Sequence, residues 1–270
     1  MKIKKTLLTI GMCLGLLFFY KPNLNGANLI SYESIYEVTI NDNYDNKKLG
    51  QTYITKANGE LLLDWFNNCK SWVSNQRLYV NFINSSGVGT VSDIYYSLEE
   101  KNDSSEMQFF LQVKENNQLI KRVNGKAKKN EKISVEIIDS EKKNLSFPAS
   151  VLFPHEHLKL IISKIDNSKD STIVSNKVYE GSLPENFLEI TTFISDKNEK
   201  IDSNIINSDI KNSFRNVRMA YFENKSEVPS LELTAKLNSQ GIVSYFQYDY
   251  PTYSLMMNLK KVSIKKIDCK

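Results

Sequence analysis

The 270-residue chain is poor in the residues that most enzymes use as nucleophiles, bases or metal ligands. It contains two histidines, three cysteines and ten glycines. It has neither a Gly-x-Ser-x-Gly elbow nor a glycine-rich phosphate loop, and no two cysteines form a Cys-x-x-Cys pair. These absences argue against common hydrolases, nucleotide-binding enzymes and dithiol oxidoreductases. We therefore expect a protein that is not an enzyme, with no catalytic residue and no cofactor.

Both histidines lie in the tripeptide His155-Glu156-His157, which resembles half of a metal site. On a helix these two side chains point about 200° apart and cannot chelate one ion together. A zinc site also needs a third His or a free Cys, which the chain lacks. We expect no metal, and we interpret the tripeptide as the polar start of a helix, with His157 packed against one end of the fold.

The first 27 residues have the three-part pattern of a secretory signal peptide. A basic start with three lysines precedes the apolar run 6–20, and a small-residue stretch at 25–27 follows. The run is short for a membrane span, which needs about 20 residues. We expect cleavage after residue 27 and export of the mature chain, with an uncleaved anchor as the alternative. Cys13 is unlike a lipoprotein attachment site, because the bulky Met12 precedes it and because it lies mid-run.

The charge balance argues against nucleic acid as a partner. The formal charge of +4 comes from the lysines at positions 2, 4, 5 and 21, since no acidic residue precedes Glu33. Without the leader, the chain has as many basic as acidic residues. A neutral domain lacks the basic surface that binds phosphate backbones.

Two cysteines, Cys69 and Cys269, remain once the leader is removed. An exported protein with one pair of thiols favours a single long-range disulfide. Such a bond would close almost the whole mature chain into one loop. Two free thiols in a reducing compartment are the alternative.

Alternating apolar and polar positions predict an all-β, mainly antiparallel fold. The turn residues between these segments, such as Asn238-Ser239-Gln240-Gly241, are typical of a meander of hairpins. Because a long meander must close or cover its edges, we expect a barrel-like sheet. The alternating segments are Tyr36–Ile40, Leu78–Phe82, Val91–Leu98, Gln108–Val113, Ile133–Ile137, Ile173–Tyr179, Leu231–Leu237, Ile242–Tyr248 and Tyr253–Ile267.

Two segments depart from the alternation. His155–Ile165 has apolar residues at helical spacing directly after Pro154, so it predicts one helix. Lys197–Lys211 is rich in Asp, Asn, Ser and Lys, and it predicts a long exposed loop. No linker divides the chain, so residues 28–270 are expected to form one domain.

Residues 58–87, NGELLLDWFNNCKSWVSNQRLYVNFINSSG, are the most specific stretch of the chain. This stretch resembles the signature of the EipB family of cell-envelope integrity proteins, exported proteins of the Gram-negative periplasm. The resemblance continues in order along the mature chain. Its further parts are Tyr32–Ile40, Leu152-Phe153-Pro154 with His157, Val178–Ser182, Val217–Phe222 and the final hairpin that ends at Cys269.

This resemblance implies a β-spiral, a barrel of many antiparallel strands with a helix in or against it. The family's disulfide would fall on Cys69 and Cys269. The implied role is maintenance of the cell envelope, with no established enzymatic activity. The family's His and Arg positions correspond to His157 and Arg77, which with Trp72 form a candidate functional surface or corner. The 197–211 segment departs from the family, so loops that bind partners are expected to differ.

Three classes of function follow from these observations. The first is a non-catalytic, monomeric protein that binds a periplasmic protein or another envelope component. The second is a carrier that holds a lipid or lipopeptide between the curved sheet and helix 155–165. The third is a hydrolase of envelope polymers, whose paired carboxylates would leave no sequence signature. We favour the first class and take the carrier as the alternative.

Overall fold

The computed structural model describes residues 29–44, 52–138, 142–167, 170–202, 204–223 and 226–269. The predicted leader, residues 1–27 with Cys13, lies outside these ranges. Within them no helix is long and apolar enough to cross a membrane. The elements of the described chain are β1 (Tyr32–Ile40), β2 (Ile54–Asn67), β3 (Ser71–Asn84), β4 (Gly89–Lys101), β5 (Glu106–Glu115), β6 (Gln118–Lys129), β7 (Lys132–Ile137), β8 (Lys143–Pro148), α1 (Pro154–Asn167), β9 (Thr172–Val178), β10 (Leu188–Glu199), β11 (Phe214–Phe222), β12 (Leu231–Asn238), β13 (Val243–Tyr250) and β14 (Tyr253–Ile264).

All of these strands belong to one antiparallel sheet with the order β8-β7-β6-β5-β4-β3-β2-β1-β14-β13-β12-β11-β10-β9. The predicted all-β, barrel-like fold with one helix is confirmed. The sheet does not close, because its edge strands β8 and β9 are not paired with each other. A single parallel bridge between Leu152 and Val178 brings the two edges together. The alternating pattern missed β2, β6, β8, β10 and β11; lysines interrupt the apolar signal in β6, and β8 is only 6 residues long.

Helix α1 packs its apolar face on the strands β10 to β13, which we call the second wall. Ile161 and Ile162 are buried there against Val217 and Leu233, with further aliphatic side chains from both elements around them. The predicted helix 155–165 is therefore confirmed, with its bounds extended to Pro154–Asn167. Pro154 occupies the first turn, where its missing N–H costs little.

The N-terminus of α1 is capped by a side chain from strands other than those on which its apolar face packs. We call strands β2 to β6 the first wall, and the fully buried Glu100 of β4 belongs to it. Glu100 Oε2 accepts the backbone N–H of His155 at 2.7 Å, and Oε1 accepts that of Glu156 at 3.1 Å. Ser104 Oγ donates a third hydrogen bond at 2.8 Å. A carboxylate at this position satisfies orphan N–H groups and complements the helix dipole.

Glu156 completes the capping arrangement from within the helix. Its Oε2 accepts the Phe153 N–H at 3.3 Å, as in a capping box. The same oxygen lies 2.6 Å from Lys129 Nζ on β6. The helix start is therefore tied to β4 and β6 of the first wall, while its apolar face lies on the second wall.

The segment predicted as a long exposed loop is only partly exposed. Strand β10 extends to Glu199, and Ile210 beyond it is buried among core residues. Other isoleucines of the segment pack against the same core around Tyr36 and Phe214. Asn212 holds the segment in place, since its side chain exchanges hydrogen bonds with the Ile201 backbone at 2.8 and 2.9 Å. The described residues 200–202 and 204–211 form the predicted loop, but the expected exposure was wrong, because the isoleucines that pack on the core follow no regular period.

Cys69 and Cys269 stand in disulfide geometry, with their Cα atoms 5.6 Å apart. Cys69 occupies the β2–β3 turn with a positive φ of 75°. Its N–H is held by Asn67 Oδ1 at 2.6 Å. The bond joins this turn to the C-terminal tail that follows β14.

The disulfide is expected to contribute a large share of stability. The bonded cysteines are 200 residues apart. The chain-entropy model gives about 5 kcal/mol for such a loop, against about 2–4 kcal/mol in typical measurements. We expect Cys69→Ser to lower the free energy of unfolding by about 2–5 kcal/mol in urea titrations under oxidising conditions. Cys269→Ser and the reduced wild-type protein should match it, and an unchanged unfolding midpoint would contradict the expectation.

The two histidines of α1 are expected to make the fold sensitive to acid. Burial lowers the pKa of His155 to about 3 and that of His157 to about 4. Below about pH 6.5 these histidines are protonated in the unfolded chain but stay neutral in the folded state. The free energy of unfolding therefore falls as the pH drops. Glu100 acts in the opposite direction, since burial raises its pKa to about 7 and the folded state then binds the extra proton.

Substitution of one histidine separates these effects, because Glu100 is unchanged. We expect His157→Phe to reduce the loss of unfolding free energy between pH 6.5 and pH 5 by about 1 kcal/mol. Urea titrations of variant and wild type at several pH values in this window measure the difference. Parallel pH dependences for the two proteins would contradict the buried, neutral state of His157.

Candidate functional site

The structure does not bring the three predicted site residues together. Trp72 and Arg77 lie on the same strand five residues apart, so their side chains are on opposite faces of the sheet. Trp72 lies on the inner face, together with the helix. Arg77 lies on the outer face, and His157 is buried within α1. The predicted corner therefore divides into an inner part, with Trp72 and His157, and an outer part, with Arg77.

Trp72 belongs to an aromatic stack that holds the helix start. Its ring centroid lies 5.2 Å from that of Trp65 and 5.0 Å from that of His155. Both ring nitrogens of the buried His155 lack a hydrogen-bond partner among the described residues, and so does Trp65 Nε1. The stack is an apolar contact between the first wall and α1. The helical conformation also prevents His155 and His157 from chelating one ion, and the described residues contain no cluster of three metal-ligating side chains.

Arg77 forms a bidentate ion pair with Asp93 on the neighbouring strand β4, with both N–O distances at 3.0 Å. This hydrogen-bonded pairing lowers the pKa of Asp93. Arg77 also borders a shallow outer hollow of about 310 Å³, whose floor includes the exposed Leu62 and Tyr95. An exposed pair of this kind stabilises the fold by less than about 1 kcal/mol.

A larger pocket of about 460 Å³ lies between the first and second walls. We call it the tyrosine pocket, because one tyrosine of the first wall and three of the second wall line it. These residues are Tyr96 of β4, Tyr221 of β11, Tyr248 of β13 and Tyr250 of β13. Leucines from both walls fill the spaces between the rings, Leu111 on one side and Leu188, Leu231 and Leu233 on the other.

Glu180 is placed in this pocket by the sharp turn that follows β9. The preceding Tyr179 is fully buried, and its N–H donates to Leu152 O at 2.9 Å. Gly181 then adopts a φ of +79°, and a Cβ at this position would lie 2.4 Å from the Phe109 ring. Only glycine suits both the left-handed backbone and the close approach. Tyr96 Oη donates to Glu180 O at 2.6 Å, which fixes the turn against the first wall.

The interior of the pocket disfavours charge on its glutamate and its tyrosines. Burial raises the pKa of Glu180, the hydrogen bond from Ser182 Oγ opposes this rise, and the nearby Glu223 carboxylate adds to it. Burial and the negative charge of Glu180 raise the pKa of Tyr248 to about 12 and shift that of Tyr221 upwards as well. The tyrosines therefore remain neutral hydrogen-bonding groups near neutral pH.

The helix does not line this pocket, although the sequence predicted a ligand space between the sheet and helix 155–165. The residues around the pocket come from β3 to β6, from β10 to β13, and from the segments next to β9, β11 and β12. The apolar face of α1 instead packs on the second wall. The tyrosine pocket is lined by strands and turns of the two walls.

Sequence reasoning missed Glu180 and the four tyrosines. The alternation along β11 and β13 already places Tyr221 with Val217 and Tyr248 with Phe246 on one face. The turn Glu180-Gly181 stood out in the sequence only as part of a strand end. Their convergence depends on the pairing of strands that are distant along the chain, which no local pattern reveals.

Comparison with known proteins places the fold and the family. A model of the family described as EipB-like matches residues 24–266. The chain is 21% identical over 247 residues to "Cell envelope integrity protein EipB" of Brucella abortus (strain 2308). The aligned region covers 89% of this chain and 86% of that protein.

The crystal structure of a β-barrel-like protein of a domain of unknown function, also from Brucella abortus, has the same fold. The two structures superpose with a TM-score of 0.79 at 21% sequence identity. The superposition covers 88% of this chain and 99% of the Brucella chain. The resemblance that the sequence indicated is thereby confirmed over the length of the described sheet. The chain belongs to the EipB-like family.

Proposed function

We propose that this chain is a non-enzymatic periplasmic protein that supports cell-envelope integrity by binding an envelope component in the tyrosine pocket. The role comes from the name of the Brucella relative, and the site comes from the pocket between the two walls. Residues 28–270 would act as a single periplasmic domain after removal of the leader. The disulfide geometry of Cys69 and Cys269 supports an oxidising compartment.

The pocket carries the proposal because its size and lining suit a small ligand. Its volume of about 460 Å³ falls within the usual range of small-molecule sites, about 300–1,000 Å³. Leucines offer apolar contact, while tyrosine hydroxyls and glutamates offer a few polar groups. This combination is typical of sites that bind amphipathic molecules. A lipid or lipopeptide carrier thus remains compatible with the fold, at a site beside the helix.

A non-enzymatic role is proposed although two carboxylates, Glu180 and Glu223, lie in the same pocket. Paired carboxylates are the feature that a glycoside hydrolase would need. Glu180 instead takes part in a structural turn, with its carboxylate held by Ser182 and its carbonyl held by Tyr96. Both histidines lie on α1, outside the pocket lining.

A protein partner is the second candidate, and the outer hollow favours it. Leu62 is 41% exposed on this face, next to the charged Arg77–Asp93 pair. An apolar side chain beside fixed charges is a common composition of protein contact surfaces. In this case the tyrosine pocket would have no ligand in the cell.

Native mass spectrometry of the protein purified from the periplasm without detergent tests the proposal. We expect a bound mass that solvent extraction removes. Leu231→Trp places a large ring in the tyrosine pocket and should abolish the bound mass, because Leu231 is half-buried in its lining. Leu62→Trp makes the same change on the outer face and should retain it.

A bare polypeptide in every sample would contradict the pocket proposal and favour a protein partner. Release of soluble fragments from isolated envelope polymers by the wild-type protein, lost in Glu180→Gln, would contradict the non-enzymatic role. Equal loss of the bound mass in both tryptophan variants would show that the ligand does not lie in the tyrosine pocket.

A further inference from the structure

The charged residues of the tyrosine pocket are unbalanced. Its lining holds two carboxylates, Glu180 and Glu223, but only one ammonium group, that of Lys121. All three are partly shielded from solvent. Among the described residues, no ion pair within 4.0 Å joins Lys121 to either carboxylate. With both carboxylates ionised, the lining carries one more negative than positive charge, and Lys121 offsets that charge only without a direct ion pair.

Glu180 has hydrogen-bonding support, and the charge of Lys121 acts on it without forming a direct ion pair. Ser182 Oγ donates to its carboxylate, and this contact supplies no positive charge. Burial and the repulsion from Glu223 raise the pKa of Glu180, the Ser182 hydrogen bond and the charge of Lys121 lower it, and the net direction is upward. A buried carboxylate is stabilised when a cation lies beside it. A further positive charge inside the pocket would therefore stabilise the ionised form of Glu180.

The tyrosine rings supply the second part of a cation site. The face of an aromatic ring carries partial negative charge and attracts ammonium groups within about 6 Å of its centre. Tyr221, Tyr248 and Tyr250 line the second wall, and Tyr96 faces them from the first wall. All four tyrosines line the same pocket as Glu180, and its charge contributes to the raised pKa of each of their hydroxyls.

The leucines of the pocket favour a ligand in which an apolar group is attached to the cation. Leu111 of the first wall and Leu231 and Leu233 of the second wall present apolar surface in the same pocket. A strongly hydrated inorganic ion would gain nothing from these contacts. An alkyl-bearing ammonium group would bury apolar area against them.

We propose that the tyrosine pocket selects organic cations, molecules with an amine or quaternary ammonium head and an attached apolar group. The proposal rests on the proposed function, since it names the class of ligand for the same site. The head would lie beside Glu180 and Glu223 among the tyrosine rings, and the apolar group would lie against the leucines. Two sources share this chemistry, the head group of an amine-bearing lipid and a small free amine.

A matched set of surfactants tests the selection by isothermal titration calorimetry, at concentrations below micelle formation. The probes are dodecyltrimethylammonium, dodecyl maltoside and dodecyl sulfate, which share one chain and differ in head-group charge. We expect the cation to bind about tenfold more tightly than the neutral probe, and the anion to bind most weakly. Butyltrimethylammonium, with a short chain, distinguishes the sources, since tight binding of this probe indicates a free amine and weak binding indicates a lipid.

Glu180→Gln is the decisive variant. It preserves the shape of the side chain and removes a charge that forms no direct ion pair with a cation, so the protein should fold. We expect it to reduce the preference for the cation to about twofold or less while binding of the neutral probe is retained. Glu189→Gln removes a charge of the same type from the exposed outer face of β10, where Lys177 lies 3.5 Å away. This control should keep the preference.

The outcomes separate the two proposals. Equal affinities for the three dodecyl probes, abolished by Leu231→Trp, would overturn the cation proposal and leave a binding pocket in place. A preference for the cation that survives Glu180→Gln would also overturn the cation proposal. Failure of every probe to bind, or binding that Leu231→Trp leaves unchanged, would overturn both proposals.

Discussion

The buried contact between Glu100 and the N-terminus of α1 is the interaction on which the arrangement of the two walls depends. Phe153, which directly precedes Pro154, has no side chain that can act as the N-cap, and Glu156 satisfies only the Phe153 N–H. A carboxylate more than fifty residues earlier takes that role through the N–H groups of His155 and Glu156. Removing it would leave two buried donors without a partner, a cost of about 1–3 kcal/mol each.

This cap makes α1 a spacer between the walls. Its first turn is fixed to the first wall by Glu100 and by the stack of Trp65, Trp72 and His155. Its apolar face is fixed to the second wall around Ile162. Because the sheet is open between β8 and β9, the helix adds a contact between the walls to those made by β1, β14 and the Leu152–Val178 bridge. The tyrosine pocket lies between the same two walls.

Local patterns predicted the helix and many of the strands, but not which side chains the strand pairing brings together. Pro154 and the spacing of Ile161 and Ile162 located the helix, since both signals act within one or two turns. Strand β6 was missed because its buried Gly125 and Ala127 alternate with lysines and carry little apolar signal. The predicted site residues were grouped by sequence, although strand periodicity alone would have separated the two faces of β3. The pocket depends on long-range pairing, which a single sequence does not encode in any local pattern.

Hydrogen exchange measured by mass spectrometry on Glu100→Ala tests the role of the cap most directly. Glu99→Ala, on the adjacent outward-facing position of β4, is the matched control. Our account predicts faster exchange throughout α1 and in strands β11 to β13, because loss of the cap releases the spacer from the first wall. Faster exchange confined to residues 155 and 156, with the second wall unchanged, would contradict it.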